Sequence, residues 1–309
     1  MELSDYHPFV SAEAKAEYSR MYDKKAKQWP VPYEVRMVDT SYGKTFVRIS
    51  GPINGEPLVL LHPTRDDSLF WIPNARALAG QFKIFAVDTI GECNCSIYTQ
   101  DLPDISAYVS WLDELLTGLN LGAGINMMGL SYGGMLVSQY ALRHPERLGG
   151  IVLVAPAATV LPLRPEFTLR ALLCALRARY FASSFFFWLC EDYLLQDPSN
   201  RQIMEAYVSE KLLGVRCFKI SRHIPSPVLT DEQLRSIRVP ALFVVGEHEK
   251  MYSAGRAVER LNRLAPQIQA RIVPGAGHDI NKAQPETVSR LALEFLIAKY
   301  RQHGKPLIS

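Results

Sequence analysis

Cysteine is scarce in this chain. There are five in 309 residues: Cys93, Cys95, Cys174, Cys190 and Cys217. The odd number argues against a disulfide framework. Met1 to Val10 shows no basic segment followed by an apolar one, so no secretory signal is expected. Together these features predict reduced thiols in a cytoplasmic protein. Cys93 and Cys95 are one residue apart, closer than the spacing of zinc sites, and no histidine adjoins them, so no metal is expected. Charge imbalance is also small. Lys and Arg number 34 against 31 Asp and Glu, a net charge of +3, which is too near neutral to suggest a nucleic-acid partner. Long apolar runs are missing. The most apolar stretch, Ala171 to Cys190, is interrupted by Arg177 and Arg179 and makes a poor membrane span, so no membrane partner is expected. There is no internal repeat and no low-complexity segment. With 48% hydrophobic and 21% charged residues, the chain has the composition of a globular protein with an ample core.

The periodicity alternates between strand and helix. Val35 to Thr40 and Thr45 to Ser50 read as an antiparallel hairpin joined by Ser41-Tyr42-Gly43-Lys44. Pro57 to Leu61, Lys83 to Val87, Ile125 to Leu130, Gly150 to Val154 and Pro240 to Val245 are continuous apolar runs, as in strands covered on both faces. Ala270 to Val273 is a further strand. Helices are predicted over Ser11 to Trp29, Ile105 to Leu119, Gly134 to His144, Thr230 to Ile237, Gly255 to Leu264 and Pro285 to Tyr300, and another closes over Arg76 to Gly80. The first is a surface helix that packs over the sheet or against a partner, a second copy of the chain included. This order predicts an α/β protein with a mostly parallel sheet and helices on both faces. The alternation breaks between Thr159 and Leu229, which contains no buried strand. Helices are expected there at Leu169 to Arg179 and Arg201 to Leu213. The expected organisation is a core in two parts, 1–158 and 230–309, with 159–229 as a helical cap.

Ile125 to Gly134 reads I-N-M-M-G-L-S-Y-G-G. A buried strand, a glycine-rich turn with Ser131 at its tip and a helix form the context in which G-x-S-x-G acts as a nucleophile elbow. Glycines are needed because strand and helix approach closely around a strained serine. The N–H of Tyr132, at a helix N-terminus, can then face an oxyanion. His278 lies in Pro274-Gly275-Ala276-Gly277-His278, directly after the last strand, and is the candidate general base. The acid should follow the strand ending at Val245. Glu249 is the choice there, with Glu247 as the competitor and structural strand-end residue. The second oxyanion donor should come from His62-Pro63-Thr64-Arg65, where proline has no N–H and Thr64 does. His62, Arg65, Phe185 and Trp188 are the candidate substrate contacts, the two aromatics as part of an apolar acyl pocket. Asp66 and Asp67 are placed with Arg65 at the rim.

These pieces resemble the α/β-hydrolase superfamily, in its branch of helical-cap hydrolases. The matching segments are L-V-L-L-H at 58–62, V-D-T-I-G at 87–91, G-L-S-Y-G-G at 129–134, H-P-E-R-L-G-G-I-V-L-V-A-P at 144–156, V-P-A-L-F-V-V-G-E-H-E at 239–249 and G-A-G-H at 275–278. The resemblance covers nearly everything from Pro57 to Tyr300 apart from the cap. It implies an eight-stranded sheet with one antiparallel strand, no cofactor, and acyl-enzyme chemistry on an ester, thioester, amide or lactone. Two positions depart from the family pattern. His62-Pro63 stands where His-Gly is usual, and Glu249 stands where aspartate is usual.

The leading expectation is a serine hydrolase cleaving a carboxylic ester, or a thioester or lactone, of a small, largely apolar molecule through an acyl-enzyme on Ser131. Different chemistry on the same residues is the alternative: C–C bond hydrolysis, acyl transfer, cyclisation or lyase chemistry. A non-catalytic binding protein is a third reading, disfavoured because such a protein has no need of a complete triad.

Overall fold

The computed structural model describes residues 4–219 and 224–302, the last four of these through their backbone only. In chain order the elements are α1 (Ala12–Ala26), β1 (Glu34–Thr40), β2 (Gly43–Ser50), β3 (Pro57–Leu61), α2 (Ile72–Ala79), β4 (Lys83–Val87), β5 (Ile97–Tyr98) and α3 (Ile105–Gly118). Next come β6 (Ile125–Leu130), α4 (Tyr132–Arg143), β7 (Leu148–Val154), α5 (Pro165–Leu173), α6 (Arg179–Leu189), α7 (Glu191–Gln196) and α8 (Asn200–Cys217). The chain closes with α9 (Asp231–Ser236), β8 (Ala241–Gly246), α10 (Ala254–Leu264), β9 (Ile268–Val273), α11 (Ile280–Ala283) and α12 (Pro285–Gln302).

Eight strands follow the order β1-β2-β4-β3-β6-β7-β8-β9, and the two-residue β5 pairs with β2 off this path. β2 runs antiparallel to β1 and β4, whereas β4 through β9 along the path pair in parallel. This is the expected sheet with one antiparallel strand. The short β5 was not foreseen, because two residues carry no readable period. The hairpin turn is tighter than expected: Thr40 pairs with Gly43, so the turn is Ser41-Tyr42 and Lys44 already lies in β2.

Side chains alternate across each strand. Leu58, Leu60, Ile84, Ala86, Met128 and Leu130 face one core together with α1, α2 and α12. Val59, Leu61, Phe85, Val87 and Met127 face a second core under α3, α4 and α10. Both faces are therefore covered, which explains why the strands read as unbroken apolar runs. α1 packs over the sheet through Tyr18, Tyr22 and Ala26, with Ser11 capping its start by accepting the Ala14 N–H at 3.2 Å. α4, expected to be amphipathic, is buried on every side from Tyr132 to Ala141, because the sheet lies against one side and α3 against another.

The stretch between β7 and β8 is helical, and the helix expected at 201–213 lies within α8; the other expected helix differs. The segment 169–179 is broken rather than continuous. α5 ends at Leu173, a short 3-10 turn spans Cys174–Leu176, and Arg177 takes a left-handed conformation (φ 55°) that stops the helix before α6 begins. The sequence does not announce the break, since nothing in it there is a glycine or a proline. Among the described residues no helix is long and apolar enough to cross a membrane, and all five cysteines are free.

Candidate active site

Ser131 sits between β6 and α4 with φ 54° and ψ −115°, a conformation an L-residue adopts only under constraint. Hydrogen bonds supply the constraint. The Ser131 N–H donates to Val154 O at 3.0 Å, and its own carbonyl accepts from Ala157 at 2.9 Å and Met135 at 3.0 Å. The three glycines around it have steric reasons. A Cβ on Gly129 would strike the Gly133 backbone, and one on Gly133 would overlap Leu61 O and lie 2.7 Å from His62 O. On Gly134 it would lie 2.9 Å from Gly129 O. The Tyr132 N–H opens α4, where the helix dipole is positive.

β8 and β9 lie beyond β6 and β7 in the sheet, so their C-terminal loops emerge along the same edge as the serine turn. Gly246 ends β8 against the carbonyls of Ala276 and Gly277, and the His248 N–H donates to Ala276 O at 2.9 Å. This lacing brings Glu249 to His278. Glu249 Oε2 lies 3.0 Å from His278 Nδ1, and Glu249 Oε1 accepts the Met251 N–H at 2.7 Å. The group is well enclosed: Ser131 is 7% exposed, His278 8% and Glu249 2%. Burial by itself lowers the His278 pKa. The Glu249 carboxylate, through charge and hydrogen bond, and Asp279 more than reverse this and hold it above the ordinary imidazole value. Glu247 does not reach the histidine. It is exposed and accepts the Gly275 N–H at 3.1 Å, which fastens the loop carrying His278.

The loop after β3 is only partly as expected. Thr64 and Arg65 are exposed, but His62 is not available to a substrate. It is fully buried. Its Nδ1 is 2.7 Å from Pro63 O and its Nε2 accepts the Thr89 N–H at 2.9 Å. Burial lowers its pKa, so it is a neutral strut between the loops after β3 and β4. Asp66 and Asp67 are likewise buried rather than at a rim. Asp67 caps a short 3-10 turn by accepting the Leu69 N–H at 2.8 Å. Asp66 accepts from Lys211 at 2.8 Å and from the Tyr207 hydroxyl at 2.8 Å, both on α8. The sequence could not show this, because the partners lie more than a hundred residues away. Phe185 packs edge-on against Phe167 at 5.5 Å, and Trp188 carries the Arg170 guanidinium at 4.8 Å over its ring.

Glu92 was not singled out from the sequence. It follows Gly91 after β4 and reaches the loop after β3. Its carboxylate accepts the Arg65 N–H at 2.6 Å and the Thr64 hydroxyl at 3.2 Å. These bonds hold Arg65 at φ 54°, an unfavourable conformation for that residue. Burial pushes the Glu92 pKa above the usual carboxylate range. The available signal was its place at a strand C-terminus, the edge where ligands bind in such sheets.

α7 contacts the loops that carry Glu249 and His278. Asp192 Oδ1 lies 2.7 Å from His248 Nδ1, and the Tyr193 N–H donates to Asp279 at 2.8 Å. Burial pushes the Asp279 carboxyl up to about 6. Among the described residues no group of three or more His, Cys, Asp or Glu is arranged to hold a metal ion.

Residues 56–282 match the family described as alpha/beta hydrolase fold. The chain is 34% identical to the carboxylesterase YbfK of Bacillus subtilis over 296 residues, 95% of this chain and 98% of that protein. It is 33% identical to the uncharacterized carboxylesterase nap of the same organism, over 91% of this chain and 93% of that one. The crystal structure of B. subtilis naproxen esterase (carboxylesterase NP) superimposes with a TM-score of 0.82 at 32% identity, covering 96% of this chain and 99% of the other.

Proposed function

This chain belongs to the α/β-hydrolase fold family and hydrolyses carboxylic esters, like the carboxylesterases it resembles over nearly its whole length; we propose that it does so through an acyl-enzyme on Ser131, on small and largely apolar substrates. The observation that carries this reading is the buried His278–Glu249 pair at 3.0 Å, on the sheet edge that also holds a serine forced to φ 54°. With Nδ1–H donated to Glu249, Nε2 is the unprotonated nitrogen of the neutral ring. It takes the proton as Ser131 Oγ attacks the ester carbonyl. The N–H groups of Tyr132 and Thr64 receive the oxyanion. Collapse expels the alcohol, which takes the proton from Nε2. Water, deprotonated by the same nitrogen, then attacks the acyl-enzyme, and the acid leaves as Ser131 regains its proton.

Pro63 fits this scheme. It has no N–H to offer, so Thr64 is the donor, and Glu92 fixes the Thr64–Arg65 peptide in place of the backbone freedom a glycine would have given. Residues 159–229 act as a cap, with α7 seated on the acid and histidine loops. Phe185 and Trp188 belong to its apolar lining, and Arg65 stands at the entrance.

A fluorophosphonate probe tests the assignment. Wild type is expected to be labelled at Ser131, with labelling lost in Ser131→Ala and in His278→Ala. Labelling of another residue, or full labelling in His278→Ala, would refute it.

A further inference from the structure

The surface of the helical insertion carries a feature that ester hydrolysis does not use. α5 has no buried residue. Leu169, Leu172 and Leu176 recur at i, i+3 and i+7, so they form one stripe along α5 and the 3-10 turn that follows. They are 59%, 68% and 63% exposed, and Tyr180 at the start of α6 is 77% exposed. The other face of α5 is the packed one, where Phe167 meets Phe185 and Arg170 lies over Trp188. An apolar stripe in water on an otherwise soluble surface marks an interaction site.

Charge decides the kind of partner. Residues 164–180 contain Arg164, Arg170, Arg177 and Arg179 against a single acid, Glu166, which is paired with Arg170 at 3.0 Å. Their net charge of +3 equals that of the whole chain, so the rest of the sequence is balanced. Arg164, Arg177 and Arg179 on the same segment are exposed, Arg179 also donating to the Ser209 hydroxyl of α8 at 2.9 Å. A second copy docking through the same face would bring this positive segment against itself. An anionic amphiphilic surface satisfies both components, since leucines enter the acyl boundary while guanidinium groups meet headgroup phosphates. We propose that the α5–α6 face docks this protein onto anionic lipid surfaces. The expectation of no membrane partner rested on the lack of a spanning segment, and lying on a surface requires none.

The test is co-sedimentation of the full chain with phosphatidylglycerol vesicles, with phosphatidylcholine vesicles as control, at low and high salt. Two triple variants accompany wild type: Leu169, Leu172 and Leu176 changed to Ser, and Arg164, Arg177 and Arg179 changed to Gln. Hydrolysis of a short, water-soluble ester confirms that each variant is folded. Wild type is expected to bind phosphatidylglycerol, to bind phosphatidylcholine far less, and to be released by salt. The arginine variant should lose about fivefold in partitioning per residue, roughly a hundredfold in all. The leucine variant should no longer sediment. Wild type remaining in the supernatant at low salt would overturn the proposal, as would equal binding by all three proteins. A dimer in sedimentation velocity that the leucine variant converts to monomer would assign the face to self-association instead.

Discussion

Replacing Glu249 with glutamine should nearly abolish turnover, and the structure says why so conservative a change is so damaging. Glu249 uses both oxygens: Oε1 accepts the Met251 N–H at 2.7 Å, and Oε2 faces His278 Nδ1 at 3.0 Å. A glutamine must keep its carbonyl oxygen toward Met251, because turning the amide would leave a buried N–H without an acceptor, at a cost of about 1–3 kcal/mol. Its NH2 group then points at Nδ1 and donates to it. Nδ1 becomes the acceptor, the ring proton moves to Nε2, and Nε2 can no longer take the proton from Ser131. In a serine triad this wrong-tautomer arrangement lowers kcat by about 10⁴, equivalent to roughly 5 kcal/mol of barrier. The assay is p-nitrophenyl ester hydrolysis across pH, with thermal denaturation to show the fold intact. The pH dependence is a second readout. As general base His278 must be neutral, so activity rises as pH climbs through its pKa. Glu249 holds that pKa above the ordinary value, so the acid limb of wild-type kcat/KM should lie above about 6.5. Any residual activity in Glu249→Gln should show that limb moved to lower pH. A variant within about tenfold of wild type, where the template gives 10⁴, or an unmoved limb, would refute the reasoning.

Two other substitutions probe the scaffold. Gly133→Ala places a Cβ against Leu61 O and 2.7 Å from His62 O, all rigid backbone; it should destabilise by about 1–3 kcal/mol, seen as a lower denaturation midpoint, together with loss of probe labelling at Ser131. Glu92→Ala removes the acceptor of the Arg65 N–H and should lower kcat by about 10–100-fold with KM little changed, since a displaced oxyanion donor acts on the transition state; an unchanged kcat would show that Glu92 does not position the Thr64 peptide.

The fold was legible because its signals are local. Five of the strands read as short apolar runs, since covering both sheet faces makes strand positions apolar, and the elbow glycines mark a close approach of strand and helix. Glu249 and His278 were found because each follows a strand, and a parallel sheet delivers strand ends to one edge. The chain by itself thus determined the architecture, the serine turn and the glutamate and histidine that the fold pairs. Tertiary structure decided how the neighbouring polar residues are used. His62 and Asp66 read as substrate or rim contacts and are buried struts, because their partners are Thr89 and Lys211, whose proximity no sequence period encodes; Asp67 is buried as the local cap of a 3-10 turn. Glu92 and Asp192 reach the loops of the site only because β4 lies beside β3 and α7 folds back over the loops after β8 and β9. A hydrogen-bond donor is visible in a sequence, but the direction it points and the partner it meets are set by chain segments far away along it.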